Sequence, residues 1–210
     1  MSLFITFEGP DGSGKSTQLK LLAEWLRAQG YDVLETREPG GTPIGDKVRT
    51  ILLDPASREM EPTTEILLFS AARAQHVGQV IRPHLARGGI VLCDRYADST
   101  LAYQGYGRGL DLSTLRVINA FATSGLRPAL IIYLDVPVEE GLQRRLKAKG
   151  GEWNRLDAET LAFHQRVRMG YLALAAEEPH RWAVIDASRP TEVVQQEIRE
   201  RVKGLLTTLR

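Results

Sequence analysis

The tightest constraint on this chain lies in its first seventeen residues. Phe4-Ile5-Thr6-Phe7-Glu8 is an apolar, β-rich run, and Gly9-Pro10-Asp11-Gly12-Ser13-Gly14-Lys15-Ser16-Thr17 follows it directly. The pattern is G-x-x-x-x-G-K-[ST], the P-loop. Its glycines let the backbone curl until several N–H groups point at one anion. The helix that follows adds its free N–H groups and the positive end of its dipole. Lys15 supplies a mobile charge for the outer phosphates of a nucleotide, and the Ser16 hydroxyl is placed to ligate Mg²⁺. The setting, a buried strand before and an amphipathic helix after, is the one the motif requires.

Downstream, strands alternate with helices. The pattern predicts strands at 3–8, 32–36, 90–93, 129–134 and 182–185. It predicts helices at 15–29, up to about 53, from 61 with a kink or break at Pro83, at 99–104, 112–123, from about 138, at 157–176 and at 191–206. A glycine-rich loop is expected at 105–109. Several strands are apolar without period-2 alternation, as in a parallel sheet covered on both faces. The fold class is therefore α/β, with three layers. Ligands in such sheets bind beyond the strands' carboxyl ends, so the loops at 9–15, 37–42, 94–100 and from 135 onward should converge on one site.

The 210 residues carry a formal charge of +1, which supplies no electrostatic reason to expect nucleic acid or a membrane surface as partner. No apolar run approaches the ~20 residues of a membrane span. Cys93, the single cysteine, sits in the run Ile90-Val91-Leu92-Cys93 and reads as a small core residue in a reducing cytosol. There are no repeats or candidate linkers, so residues 1–210 read as one domain. Four histidines show no metal-ligand spacing.

The strand ends carry the chemistry. Asp94 stands where an acid could hold Mg²⁺ or one of its waters opposite Ser16, the alternative being a helix cap or an ion pair with Arg95. Arg95 and Arg37 leave neighbouring strand ends, and a guanidinium fork fits a phosphate bidentately. Phe69 and Arg73 lie one helical turn apart on one face. That face suits a nucleobase, with the ring stacking and the arginine donating to a carbonyl edge; Phe69 as plain core is the alternative. Residues 143–155 hold five basic residues against Glu152, with Gly150-Gly151 as a hinge. This segment could close over a triphosphate, or be no more than a solvated charge run. No nucleophile triad is visible. A phosphate acceptor needs none, because its second pKa is about 6 and its attacking oxygen is already largely ionised at neutral pH.

Taken together, these residues resemble bacterial thymidylate kinases. The P-loop, Thr36-Arg37-Glu38-Pro39-Gly40-Gly41-Thr42, Leu68-Phe69-Ser70-Ala71-Ala72-Arg73, Asp94-Arg95-Tyr96, Ser99 to Gly105 and Tyr133-Leu134-Asp135-Val136 carry the likeness, in order, over nearly the whole chain. The resemblance implies transfer of phosphate from ATP to dTMP with Mg²⁺. It implies a five-stranded parallel sheet of the nucleoside-monophosphate-kinase type with a mobile lid at about 143–156, in a cytoplasmic homodimer. By the same similarity, Phe69 stacks on thymine and Arg73 bonds its carbonyl edge. Arg95 and Arg37 hold the acceptor phosphate, and Asp11 faces the 3′-hydroxyl. Tyr103 crowds the 2′ position. Glu38, Ser99, Thr100 and Gln104 belong to the same pocket, and Tyr171 closes it. ATP falls to residues 9–17, with Arg144 and the Ser188-Arg189-Pro190 loop near adenine.

The family supplies its transition-state arginine either from the P-loop or from the lid. This chain has Gly12 and Ser13 at the P-loop position, so it resembles the lid type. Arg155 matches best, with Lys149 and Arg145 as the other choices. Lys15, Arg95 and Arg155 are thus the expected catalytic set. Two rivals remain: a deoxynucleoside kinase of the same fold, with Glu38 or Asp94 as base, and a nucleotide-binding switch, for which no Asn-Lys-x-Asp motif is present.

Overall fold

A computed structural model describes residues 2–147 and 154–208. Five strands form one sheet: β1 (Leu3–Glu8), β2 (Val33–Arg37), β3 (Ile90–Asp94), β4 (Leu130–Asp135) and β5 (Trp182–Asp186). Their order is β2-β3-β1-β4-β5, and every pairing is parallel. The central strand β1 is buried along its whole length, whereas the edge strands β2 and β5 carry exposed positions. That difference is why the inner strands read as continuous apolar runs.

Side-chain alternation along β1 divides the core. Leu3, Ile5 and Phe7 pack with α1 (Lys15–Arg27) and α9 (Thr191–Thr208), through Leu19, Leu22, Leu26, Val194 and Ile198. Phe4 points to the other face and packs with Val91, Cys93 and Tyr96. Beside that second cluster, Tyr133 and Ile131 of β4 meet Phe163, Val167 and Tyr171 of α8 (Leu161–Glu177). Cys93 is fully buried, with its thiol pushed up by burial, as a core residue should be.

The remaining helices are α2 (Pro43–Leu53), α3 (Pro62–His76), α4 (Arg82–Ala86), α5 (Ala97–Thr100), α6 (Leu112–Thr123) and α7 (Val138–Lys147). Two departures from the expected elements take the same form. Where a kink or break is expected at Pro83, a π-helical turn, Val77–Ile81, joins α3 to α4 without a break. The wider turn lets the helical path continue through a residue without an N–H. The glycine-rich loop expected at 105–109 is likewise largely taken up by a second π-helical stretch, Leu101–Gly107, continuing α5. There Gly107 and Gly105 are needed for close packing, since a Cβ would lie 2.7 Å from Phe163 and 2.4 Å from Leu112. The helix expected from residue 157 begins at Leu161, capped by the Thr160 side chain.

The register aligns the functional strand ends. Phe7 and Arg37 both pair with Asp94, and Asp135 pairs with Asp186. Glu8, Arg37, Asp94 and Asp135 therefore stand along one edge of the sheet, beneath the P-loop and α5.

Candidate active site

The P-loop hands β1 to α1 through three glycines at positive φ, Gly9, Gly12 and Gly14. Gly14 precedes the helix without a side-chain cap, so the first-turn N–H groups face the loop's concavity. At Gly12 a Cβ would lie 2.1 Å from the Gly141 carbonyl oxygen. The start of α7 therefore leaves no room for a side chain there, which fits the lack of a P-loop arginine. Lys15 is buried and donates to the Gly9 and Pro10 carbonyls at 3.0 and 2.9 Å. Burial, with Arg95 nearby, lowers its ammonium pKa. Ser16 Oγ donates to Asp94 Oδ2 at 2.7 Å. A hydroxyl and a carboxylate oxygen side by side at the loop's rim are hard donors of the kind Mg²⁺ takes, alongside water and phosphate.

These groups open onto a cavity of about 510 Å³. Lys15 and six arginines (37, 49, 73, 95, 144 and 145) line it against the carboxylates of Asp11, Glu38 and Asp94. A chain with almost no net charge thus concentrates positive potential in one cleft, the field that focuses an anionic ligand. Phe69, Ser99, Thr100, Tyr103, Gln104 and Thr17 also line it, as expected.

Arg73 is almost wholly buried and heavily engaged. Its Nε donates to Glu38 Oε2 at 2.7 Å, Nη1 to Thr100 Oγ1 and Asn119 Oδ1, and Nη2 to the Tyr96 carbonyl. Four of its five N–H donors are so committed among the described residues, which holds the fork rigid and leaves one on Nη2. Glu38 is held in turn by His76 Nδ1 at 3.1 Å, and His76 Nε2 lies 2.7 Å from Thr36 Oγ1. The Arg37–Gly41 loop is thereby tied to α3. Phe69, one turn before Arg73, is half-buried on the same cavity wall.

Arg95 has φ 70, a left-handed conformation that a non-glycine residue adopts at a cost. Its Nη2 donates to Asp11 Oδ1 at 2.9 Å, and its guanidinium lies 5.1 Å from the Tyr103 ring centroid. Although burial acts against ionisation, Arg95 and Lys15 hold the Asp11 carboxyl far below the usual carboxylate range.

Three expected residues stand elsewhere. Tyr171 is fully buried and does not line the cavity; its hydroxyl donates to Glu8 Oε2 at 2.9 Å from beneath the site. Arg189 stands clear of the cavity, paired with Glu197, although Arg144 Nη1 reaches the Ala187 carbonyl of the same loop at 2.8 Å. Arg155 points away from the cavity and is buried, bonded to Glu65 and to the Leu52 carbonyl. Glu65 also accepts from Gln104 and Arg108, so Arg155 braces the wall that carries Gln104. Arg145 does line the cavity, with its Nη2 3.0 Å from Asp157 Oδ2. Lys149, Gly150, Gly151 and Glu152 lie outside the described residues. Gly9, Pro10 and Ser13 do not line the cavity, and Gly9 and Ser13 are buried.

Sequence reasoning missed Arg49 and Glu8. Arg49 lines the cavity beside Arg37 and donates to the Pro39 carbonyl at 2.9 Å. Its signal was the spacing from the buried Gly45, four residues earlier on the inward face of α2. Glu8 carried no signal beyond being the acid that ends an otherwise apolar strand.

A parallel sheet bearing a P-loop at its carboxyl edge, with an acid on the neighbouring strand bonded to the loop's serine, defines a P-loop NTPase fold equipped for phosphoryl transfer. The thymidylate kinase family model matches residues 7–198. The chain is 57% identical to the thymidylate kinase of Roseiflexus castenholzii, over all of this chain and 96% of that one. It is 60% identical to that of Thermomicrobium roseum, over 92% and 91% of the two chains. The crystal structure of thymidylate kinase from Ehrlichia chaffeensis superimposes with a TM-score of 0.79 at 35% identity, covering 96% of this chain and 98% of that one. This chain belongs to the thymidylate kinase family.

Proposed function

We infer that this chain is an ATP-dependent dTMP kinase that produces dTDP for dTTP synthesis. The observation that carries the reading is one cavity shared by two unlike walls. One wall is the P-loop; the other holds Phe69, Arg73, Tyr103 and Gln104, with Arg95 and Arg37 between them. In this reading ATP lies along residues 9–17 with its base toward Arg144, and thymine lies between Phe69 and the free N–H of Arg73. Arg95, Arg37 and Arg49 hold the acceptor phosphate, and Asp11 and Tyr103 face its sugar. Ser16 and Asp94 would hold Mg²⁺, which when bound neutralises charge on the phosphates. Lys15 leaves the loop carbonyls for the outer phosphates. Because the acceptor phosphate is already ionised near neutral pH, positioning and charge neutralisation suffice, and no base is needed. Transition-state charge is met by the basic segment 144–149, with Arg145 its cavity-lining member beside Arg144, while Arg155 acts as a brace.

We take residues 1–210 as one kinase domain with a lid at about 143–156, working in the cytoplasm. Val117 and Phe121 on α6, with Leu67 on α3, are large apolar side chains left 70, 88 and 55% exposed. Because α3 packs on α6, these residues offer one apolar face for a homodimer. A coupled ADP-release assay over a panel of nucleoside monophosphates tests the activity. Turnover should be greatest with dTMP, and turnover of thymidine but not dTMP would overturn the reading.

A further inference from the structure

We propose that Glu8 is a positioning residue for the acceptor-phosphate arginine, its carboxylate fixing both the backbone turn at Arg95 and the polarity of the two hydroxyls that face the guanidinium. The proposal rests on the role given to Arg95 above. Glu8 is the last residue of β1 and is fully buried, outside the cavity lining.

Two observations meet at this carboxylate. The first concerns the backbone. The left-handed turn at Arg95 is pinned by two consecutive N–H groups, and both go to the end of β1. Arg95 N donates to the Phe7 carbonyl at 2.9 Å, and Tyr96 N donates to Glu8 Oε1 at 2.8 Å. The second concerns the side chains. Glu8 Oε2 accepts from Ser99 Oγ at 2.5 Å and from Tyr171 Oη at 2.9 Å, and those two hydroxyls lie 2.9 Å apart. Arg95 Nη1 lies 3.4 Å from Ser99 Oγ and 3.5 Å from Tyr171 Oη.

An ionised carboxylate only accepts hydrogen bonds. Both hydroxyl protons therefore point at Oε2, and both hydroxyls turn lone pairs toward Arg95. An amide of the same shape would donate to the hydroxyls instead and turn their protons outward, toward a cation. A protonated carboxyl has one O–H to donate and would reverse one of the two hydroxyls. The groups that face Glu8 are Arg95 and Asp98 from the segment after β3, Tyr171 from α8 and Lys15 from the P-loop. Burial first, then Asp98, pushes its carboxyl up to about 7, against the hydrogen bonds of Ser99 and Tyr171 and the charge of Arg95. The polarity of the hydroxyls is thus set in the working pH range.

Glu8→Gln keeps the shape and the acceptor for Tyr96 N while reversing that polarity. Its expected effect is a rise in the dTMP KM on the order of tenfold with the ATP KM unchanged. The acid limb of kcat/KM for dTMP near pH 7 should disappear, leaving only the limb of the substrate phosphate, whose pKa is about 6. Tyr171→Phe removes one of the two hydroxyls and should raise the dTMP KM by a few fold, with a smaller further effect of Glu8→Gln in that background. Arg95→Lys separates the two readings. If it leaves the dTMP KM unchanged, the role of Arg95 fails. If it raises that KM while Glu8→Gln and Tyr171→Phe leave both the KM and the pH limb as in the parent enzyme, the role of Glu8 fails. Should Glu8→Gln not fold, Tyr171→Phe alone decides on the same readouts.

Discussion

Arg95 Nη2 and Asp11 Oδ1 are 2.9 Å apart, so the arginine at the end of β3 is already paired with the P-loop's own acid. The pair spans the gap between the two sides of the cavity. An incoming phosphate must compete with Asp11 for the guanidinium. The pair is partly exposed, and such pairs contribute about 0.2–1 kcal/mol. Asp11→Ala should therefore tighten inhibition by inorganic phosphate by up to about fivefold. It should also lower kcat for dTMP, because the sugar loses its partner. Phosphate inhibition constants measured on both proteins check this, and weaker inhibition in the variant would mean Asp11 does not compete for Arg95.

The 2.7 Å bond from Ser16 to Asp94 gives a second expectation. If these oxygens share the Mg²⁺ site, Asp94→Asn weakens a ligand set that depends on carboxylate charge. The Mg²⁺ concentration for half-maximal rate should rise on the order of tenfold, with kcat down by one to two orders of magnitude. A rate measured against Mg²⁺ at fixed ATP decides. An unshifted midpoint would leave Asp94 as a cap for the P-loop serine and nothing more.

Arg155 and Arg145 should separate cleanly. Glu65 is buried and gathers Arg155, Arg108 and Gln104, whose bonds and charges lower its pKa despite burial. Arg155→Ala leaves that carboxylate with fewer partners and should cost about 1–3 kcal/mol. Its melting temperature should fall by several degrees, with a larger change in the dTMP KM than in kcat. Glu65 contributes its stability above the ordinary glutamate pKa and loses it as pH falls through the depressed folded value, so the gap between the two proteins should narrow in acid. Arg145→Ala should instead lower kcat about a hundredfold or more with the dTMP KM little changed, a loss of rate far beyond what the fall in melting temperature from its lost bond to the buried Asp157 explains. The opposite pattern would return the transition-state role to Arg155.

Phe121 is 88% exposed one turn after Val117, and the dimer face proposed above would cover both. Phe121→Glu should convert a dimer to a monomer of about half the mass by light scattering, with the fold retained. A monomeric parent protein would remove the proposed face.

What was legible in the chain follows the range of the interactions. The P-loop, the strand ends Arg37, Asp94 and Arg95, and the Phe69–Arg73 pair each announce themselves within a few residues, because strand and helix periodicity places them. All of them reach one cavity. The π-helical turns were hidden because hydrogen-bond widening leaves no residue pattern. Arg155, Tyr171 and Glu8 were hidden for a different reason. Their partners, Glu65, Ser99 and Tyr96, lie some seventy to ninety residues away, so only the folded chain shows a basic residue turned from the cavity or an acid at its floor.

Glu8 makes one prediction about stability that is independent of catalysis. Its carboxyl is raised from an ordinary value of 4.5 to about 7. Between those values the folded protein binds a proton that the unfolded chain has lost, so stability is fully present below about pH 4.5 and declines as pH rises through 7. The shift corresponds to roughly 3 kcal/mol lost by pH 8. Glu8→Gln is neutral throughout and avoids that loss. Its melting temperature relative to the parent protein should therefore climb between pH 5 and pH 8, by about 5–10 °C for a chain of this size. Calorimetry across that range on both proteins checks it, and a difference that stays constant with pH would mean that Glu8 is not a raised carboxyl. A variant that gains stability as its hold on dTMP weakens is what a buried acid kept for positioning predicts, since the ionised form that orients Ser99 and Tyr171 is the one that burial opposes.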